Sequence, residues 1–157
     1  MQPDKVFYEP AALDYELGKQ LKEKFKNIEW VPIANHNNIE QLRKNPNKEF
    51  PRMKRHLIIG VRKSLKYVPN HKVSDFLVPY TSSGCSAMCL YCYLVCNYNK
   101  CSYLRLFVNR EQMLEKLLKT ANNSPKDLTF EIGSNSDLVL ENTITGNLEW
   151  TIENYSK

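Results

Sequence analysis

Apolar positions along the chain follow two periods. Leu13, Leu17, Leu21 and Phe25 recur every fourth residue within AALDYELGKQLKEKF, which predicts one stripe of an amphipathic helix of about four turns. Short apolar runs read instead as strands: VFYEP, IEWVPI, HLIIGVR, YLRLFV and DLTFEIG. HLIIGVR alternates poorly, as expected of a strand buried on both faces. Residues 35–50 are polar and rich in Asn, with Pro46 and Pro51 flanking Asn47–Phe50, and predict loop or irregular structure. FLVPY, from Phe76, is a further short apolar run. Asn109 is placed to cap the helix REQMLEKLLKTA, and a last helical stretch is predicted over Thr145–Tyr155.

Strand, helix, strand, helix with short loops is the rhythm of a parallel sheet or barrel. The expected class is α/β: a small N-terminal α/β segment over 1–74, then the first βα units of a partial (β/α) barrel over 75–157. The cysteine-rich loop after FLVPY falls at the strand end where such barrels place their active sites. The 157 residues, 42% hydrophobic, suffice for one modest core. No apolar run approaches the ~20 residues of a membrane helix, so a cytoplasmic protein without a membrane partner is expected. The net charge of +5 permits an anionic partner without identifying one. Its basic residues cluster at Arg52, Lys54, Arg55 and His56, then at Arg62, Lys63 and Lys66. Taken alone, such a run reads as a solvated face.

The chemistry concentrates in GCSAMCLYCYL, where Cys85, Cys89 and Cys92 are spaced Cys-x-x-x-Cys-x-x-Cys. Three thiolates on one short loop can hold three corners of a [4Fe–4S] cube and leave the fourth iron without a protein ligand. An open position is what marks a catalytic metal site. Cys96 and Cys101 lie near enough in sequence to complete a four-ligand zinc set, and that alternative stays open. A disulfide framework fits poorly: the five cysteines are odd in number, and the opening MQPDKVFYEP is polar and charged.

With an aromatic just before the third cysteine, the motif resembles that of radical S-adenosylmethionine enzymes. VFYEPAALDYELGKQLKEKF, GVRKSLKY, GCSAMCLYCYL and YLRLFVNREQML together resemble the spore photoproduct lyase family, in the form of its clostridial branch. The likeness runs from about Val6 to Asp137. It implies a lyase that repairs DNA by reversing the methylene-bridged thymine dimer of ultraviolet-irradiated spores to two thymines. The implied cofactors are a [4Fe–4S] cluster on Cys85, Cys89 and Cys92 and S-adenosylmethionine, the source of a 5′-deoxyadenosyl radical. The implied partners are lesion-containing DNA and an electron donor such as ferredoxin or flavodoxin, and the implied location is the spore core. The resemblance places Tyr91 near the cofactor and matches Tyr91 and Tyr93 to tyrosines of a hydrogen-atom relay. Ser136 and Asp137, in GSNSD, match a segment near the sulfonium. Taken alone, those two residues suit a turn or helix cap, and the tyrosines suit core aromatics.

Two departures from the family pattern stand out. Counting along the match puts Asn135 where many members carry the cysteine that quenches the thymine radical. Cys96, Cys101 or a tyrosine is then the candidate hydrogen donor. Only 65 residues (157 − 92) follow Cys92, whereas a full barrel takes ~250. The expectation is an N-terminal portion of a lyase, completed by a C-terminal half or, as an alternative, a remnant that binds cluster or DNA without turnover.

Overall fold

The computed structural model describes residues 2–43, 47–70, 72–89, 91–92, 103–133 and 135–155. Two sheets organise it. In the first, β1 (Lys5–Tyr8), β2 (Glu29–Pro32), β3 (His56–Gly60), β6 (Ser82–Ser83) and β7 (Arg105–Phe107) lie in the order β2-β1-β3-β7-β6. β1 pairs in parallel with β2 and with β3, β3 in parallel with β7, and β6 runs antiparallel to β7. In the second, β5 (Phe76–Val78) lies between antiparallel β4 (Val68–Pro69) and parallel β8 (Phe130–Ile132).

Parallel neighbours need long crossovers, and the helices supply them. α1 (Glu16–Lys24) covers one face of the first sheet, where Leu17, Leu21 and Phe25 pack with Val6, Leu57, Ile59 and Leu106. The opposite face packs Phe7 and Ile58 against Ile39 and Leu42, on and beside α2 (Glu40–Arg43). That explains why HLIIG lacks alternation: Leu57, Ile58 and Ile59 are fully buried from both sides. A third cluster joins Val78, Phe107 and the α4 residues (α4, Arg110–Asn122) Met113 and Leu117, with Phe76 and Phe130 beside them.

Several expectations need correction. The first helix begins at Glu16, because Pro10 opens a 3-10 turn over Pro10–Asp14 that places Ala12, not Leu13, in the core. Residues 35–50 hold the short helix α2, and α3 (Phe50–Met53) follows. The last helical stretch is two helices, α5 (Leu138–Thr145) and α6 (Asn147–Tyr155), divided at Gly146, whose φ of 65° ends α5 in the left-handed region. Asn109 does not cap α4 with its side chain; it exchanges hydrogen bonds of 3.0 Å with the backbone N–H and C=O of Arg62. YLRLFV contributes β7 to the first sheet, while β5 and β8 pair with each other. Both sheets therefore draw strands from both 1–74 and 75–157. Among the described residues no helix is long and apolar enough to cross a membrane.

Candidate functional site

β5 and β8 run in parallel, so their carboxyl ends lie on the same side. From β5 the chain runs through β6 into the loop carrying the cysteines, and from β8 into the segment containing Asn135, Ser136 and Asp137. The two are stitched together. The Gly84 N–H donates to the Asn135 carbonyl at 2.9 Å, and the Ser82 and Ser136 hydroxyls lie 2.7 Å apart. Gly84 and Gly133 adopt φ of 78° and 75°, a region that only glycine enters cheaply. A Cβ on Gly133 would also meet the Leu138 side chain at 2.6 Å. Asp137 accepts the Leu140 N–H at 2.9 Å and caps α5, while Ser136 faces the cysteine loop through Ser82.

Cys85 is buried, Cys92 half-buried and Cys89 exposed, and all three are free thiols. The Ala87 N–H donates to Cys85 Sγ at 3.3 Å, and the Cys92 N–H to the Cys89 carbonyl at 3.1 Å. Beneath the loop lies Lys54, 1% exposed, whose ammonium donates to the Cys85 carbonyl. Burial pushes its pKa below the ordinary lysine value, and the charges of Cys85, Cys92 and Cys89 pull it back. Tyr91 is 92% exposed. Tyr93, Cys96 and Cys101 lie outside the described residues.

Among the described residues no three His, Cys, Asp or Glu side chains converge to hold a metal ion. A cube spreads its thiolates over outer corners, so its ligands need not meet at one point. The donor set fits such a cluster: three free thiols, a backbone N–H already bonded to one sulfur, and a buried cation facing the negative charge that thiolates bring.

Sequence reasoning missed four residues of this region. Lys54 belongs to a basic run read as a solvated face. That reading suits the Arg52 and Arg55 side chains, 75% and 60% exposed, but not Lys54. Glu9 and His36 are both buried; the Glu9 carboxylate accepts the N–H groups of His36 (3.0 Å) and Val61 (2.9 Å), and His36 Nδ1 lies 2.9 Å from it. Gly60 makes room for this pair, since a Cβ there would sit 2.9 Å from His36 Nδ1. Arg62 lies 3.8 Å over the Phe107 ring and donates Nε to the Tyr80 carbonyl at 3.0 Å. With Tyr80, Ser82, Gly133 and Asn135 it lines a cavity of about 230 Å³ at the carboxyl ends of β5 and β8.

The spore photoproduct lyase family model matches residues 1–157. The chain is 33% identical to the spore photoproduct lyase of Bacillus subtilis (strain 168) over 159 residues, covering 99% of this chain and 46% of that protein. It is 30% identical to that of Clostridium acetobutylicum over 158 residues, covering 98% and 46%. A solved spore photoproduct lyase complexed with dinucleoside spore photoproduct is similar with a TM-score of 0.86 and 31% identity, over 96% of this chain and 45% of that one. A solved spore photoproduct lyase mutant with bound AdoMet and dinucleoside spore photoproduct matches with a TM-score of 0.86 and 31% identity over the same shares. The chain spans about half the length of the relatives it matches.

Proposed function

Because the chain belongs to the spore photoproduct lyase family, we propose that it provides the cluster-binding part of a radical S-adenosylmethionine enzyme that reverses spore photoproduct in DNA. Cys85, Cys89 and Cys92 would hold a [4Fe–4S] cluster, and Tyr91, Ser136 and Asp137 would help to bind S-adenosylmethionine. Bound there, the two supply the one-electron chemistry that opens the methylene bridge between two thymines. The observation that carries the reading is the stitched pair of loops: free thiols on one, joined by Ser82–Ser136 and Gly84–Asn135 to the other.

The chain's own residues have definite tasks in this reading. Lys54 holds the Cys85 main chain and balances thiolate charge. The Ala87 N–H stabilises the Cys85 sulfur as a thiolate. Asp137 fixes the start of α5, so that Ser136 keeps its place beside Ser82. Tyr91 and Tyr93 relay a hydrogen atom, and with Asn135 at the usual donor position Cys96 or Cys101 is the candidate that returns it. The electron comes from ferredoxin or flavodoxin in the spore cytoplasm, and a further C-terminal half completes the lesion pocket.

The test is anaerobic incubation of the cluster-loaded protein with S-adenosylmethionine, a strong reductant and dinucleoside spore photoproduct. Restored thymines and 5′-deoxyadenosine are expected with the chain joined to its C-terminal half, and neither with Cys89→Ala. Separate Cys96→Ala and Cys101→Ala variants identify the donor: unchanged thymine yield from both would remove these two residues from the mechanism. A protein that holds four irons yet never cleaves the sulfonium would leave only a remnant that binds without turnover.

A further inference from the structure

The first sheet reverses the direction of its connections at β1. That strand lies between β2 and β3, so the chain leaves β1 toward one neighbour over α1 and returns as β3 on the other side. Past the carboxyl ends of β2 and β3, toward β6 and β7, lies a crevice. Glu9, just past β1, pins the two segments that border it, through His36 after β2 and Val61 after β3. The crevice measures about 250 Å³ and is lined by Asn35, Asn37, Arg62, Lys63, Ser83 and Arg105, among others.

Its charge is one-sided. Among the described residues three cations line it and no carboxylate does. Glu9 is engaged by three nitrogen groups of His36 and Val61. Arg105 is braced by its Nε on the His36 carbonyl at 3.2 Å. Arg62 is largely shielded from water and bonds the Tyr80 carbonyl; among the described residues it has no carboxylate partner. Burial pushes its pKa down to about 10. A shielded guanidinium without a counter-ion gains from an anion that its planar fork can grip. Arg62 and Ser83 also line the cavity beside Ser82 and Asn135, so the crevice adjoins that cavity.

We propose that this crevice grips a phosphodiester of the DNA strand that carries the lesion, through Arg62, Lys63 and Arg105. The assignment rests on the repair reading, since the adjoining cavity is what makes a polynucleotide the source of the phosphate. The grip is on backbone, so it is indifferent to sequence and sensitive to salt.

Anisotropy of a labelled, undamaged oligothymidylate bound to the full chain, from 50 to 200 mM salt, tests it. Removing one phosphate-binding cation should flatten the slope of log K against log salt by about 0.7 for a single strand. Lys63→Gln, at an exposed position, and Arg62→Gln should each weaken binding and flatten the slope. Lys119→Gln, exposed on α4, removes the same charge and should leave the slope unchanged. Melting curves show whether Arg62→Gln folds; if it does not, Lys63→Gln and Arg105→Gln decide. Slopes in the folded crevice variants equal to that of the parent would overturn the proposal. So would inorganic phosphate held in dialysis and released in Lys63→Gln, with oligonucleotide affinity unchanged: the crevice would then serve a free anion. Lesion reversal by a protein whose slopes ignore the crevice would sink this inference alone. Crevice-dependent slopes in a protein that never reverses the lesion would uphold the crevice and sink the repair reading.

Discussion

Glu9 is a carboxylate in the core that accepts from the Val61 and His36 N–H groups and lies 2.9 Å from the His36 ring nitrogen. Burial pushes its carboxyl up, but those backbone bonds and the His36 side chain outweigh it and leave the pKa below the ordinary 4.5. The unfolded chain therefore binds more protons in the interval between the two values, and stability rises with pH across it. The contribution is complete above about 4.5 and is lost as pH falls through the folded value. Glu9→Gln should cost about 1–3 kcal/mol at neutral pH and flatten the acid limb, as measured by urea unfolding from pH 3 to 7. Lys54 calls for a different readout. Replacing its buried ammonium with Met removes a positive charge facing the thiols, so a bound cluster becomes harder to reduce. An interaction of about 1 kcal/mol corresponds to roughly 40 mV for one electron, and a redox titration should show the potential falling by that order. Neither Glu9 nor Lys54 was legible in the sequence. A lone acid before a proline and a lysine in a basic run carry no periodic signal, and only the tertiary fold brings them to their partners.

Elements were read where burial imposes a period. Leu17 and Leu21 line α1, and Phe25 follows just past its end, as their spacing requires, and the buried strands follow HLIIG and YLRLF. Boundaries set by backbone geometry were not read. α1 packs so closely on the preceding 3-10 turn that a Cβ on Gly18 would lie 1.8 Å from the Ala12 carbonyl oxygen. Gly18→Ala must displace main chain rather than a flexible side-chain end. It should destabilise by on the order of 3 kcal/mol, visible as an early denaturation midpoint with α-helical signal lost in the same transition. Gly60→Ala presses on side-chain atoms instead of main chain, His36 at 2.9 Å and Glu9 at 3.1 Å, and should cost less, about 1–2 kcal/mol. A Gly60→Ala cost equal to that of Gly18→Ala would contradict this ranking.

At the scale of the whole molecule, the cysteine spacing is what points to the proposed chemistry, because three thiolates on one loop are rare and local. Strand order was hidden. β7 follows the cysteine loop in sequence yet pairs with β3, since its apolar residues complete the core under α1; no local pattern encodes that choice. Among the described residues β8 ends its sheet, next to an apolar hollow lined by Leu117, Phe130, Ile152 and Tyr155, and such an edge favours association. Ile152→Lys, replacing a residue 61% exposed, should reduce concentration-dependent light scattering of the isolated chain. The central claim is that Cys85, Cys89 and Cys92 hold an iron–sulfur cube with one open corner for S-adenosylmethionine. Electron paramagnetic resonance of the anaerobically reconstituted, reduced protein tests it most directly. The prediction is a cluster signal from four irons per chain that shifts when S-adenosylmethionine is added and is lost in Cys89→Ala. An iron-free, colourless protein whose three thiols all react with alkylating reagent, or one holding zinc instead, would contradict it.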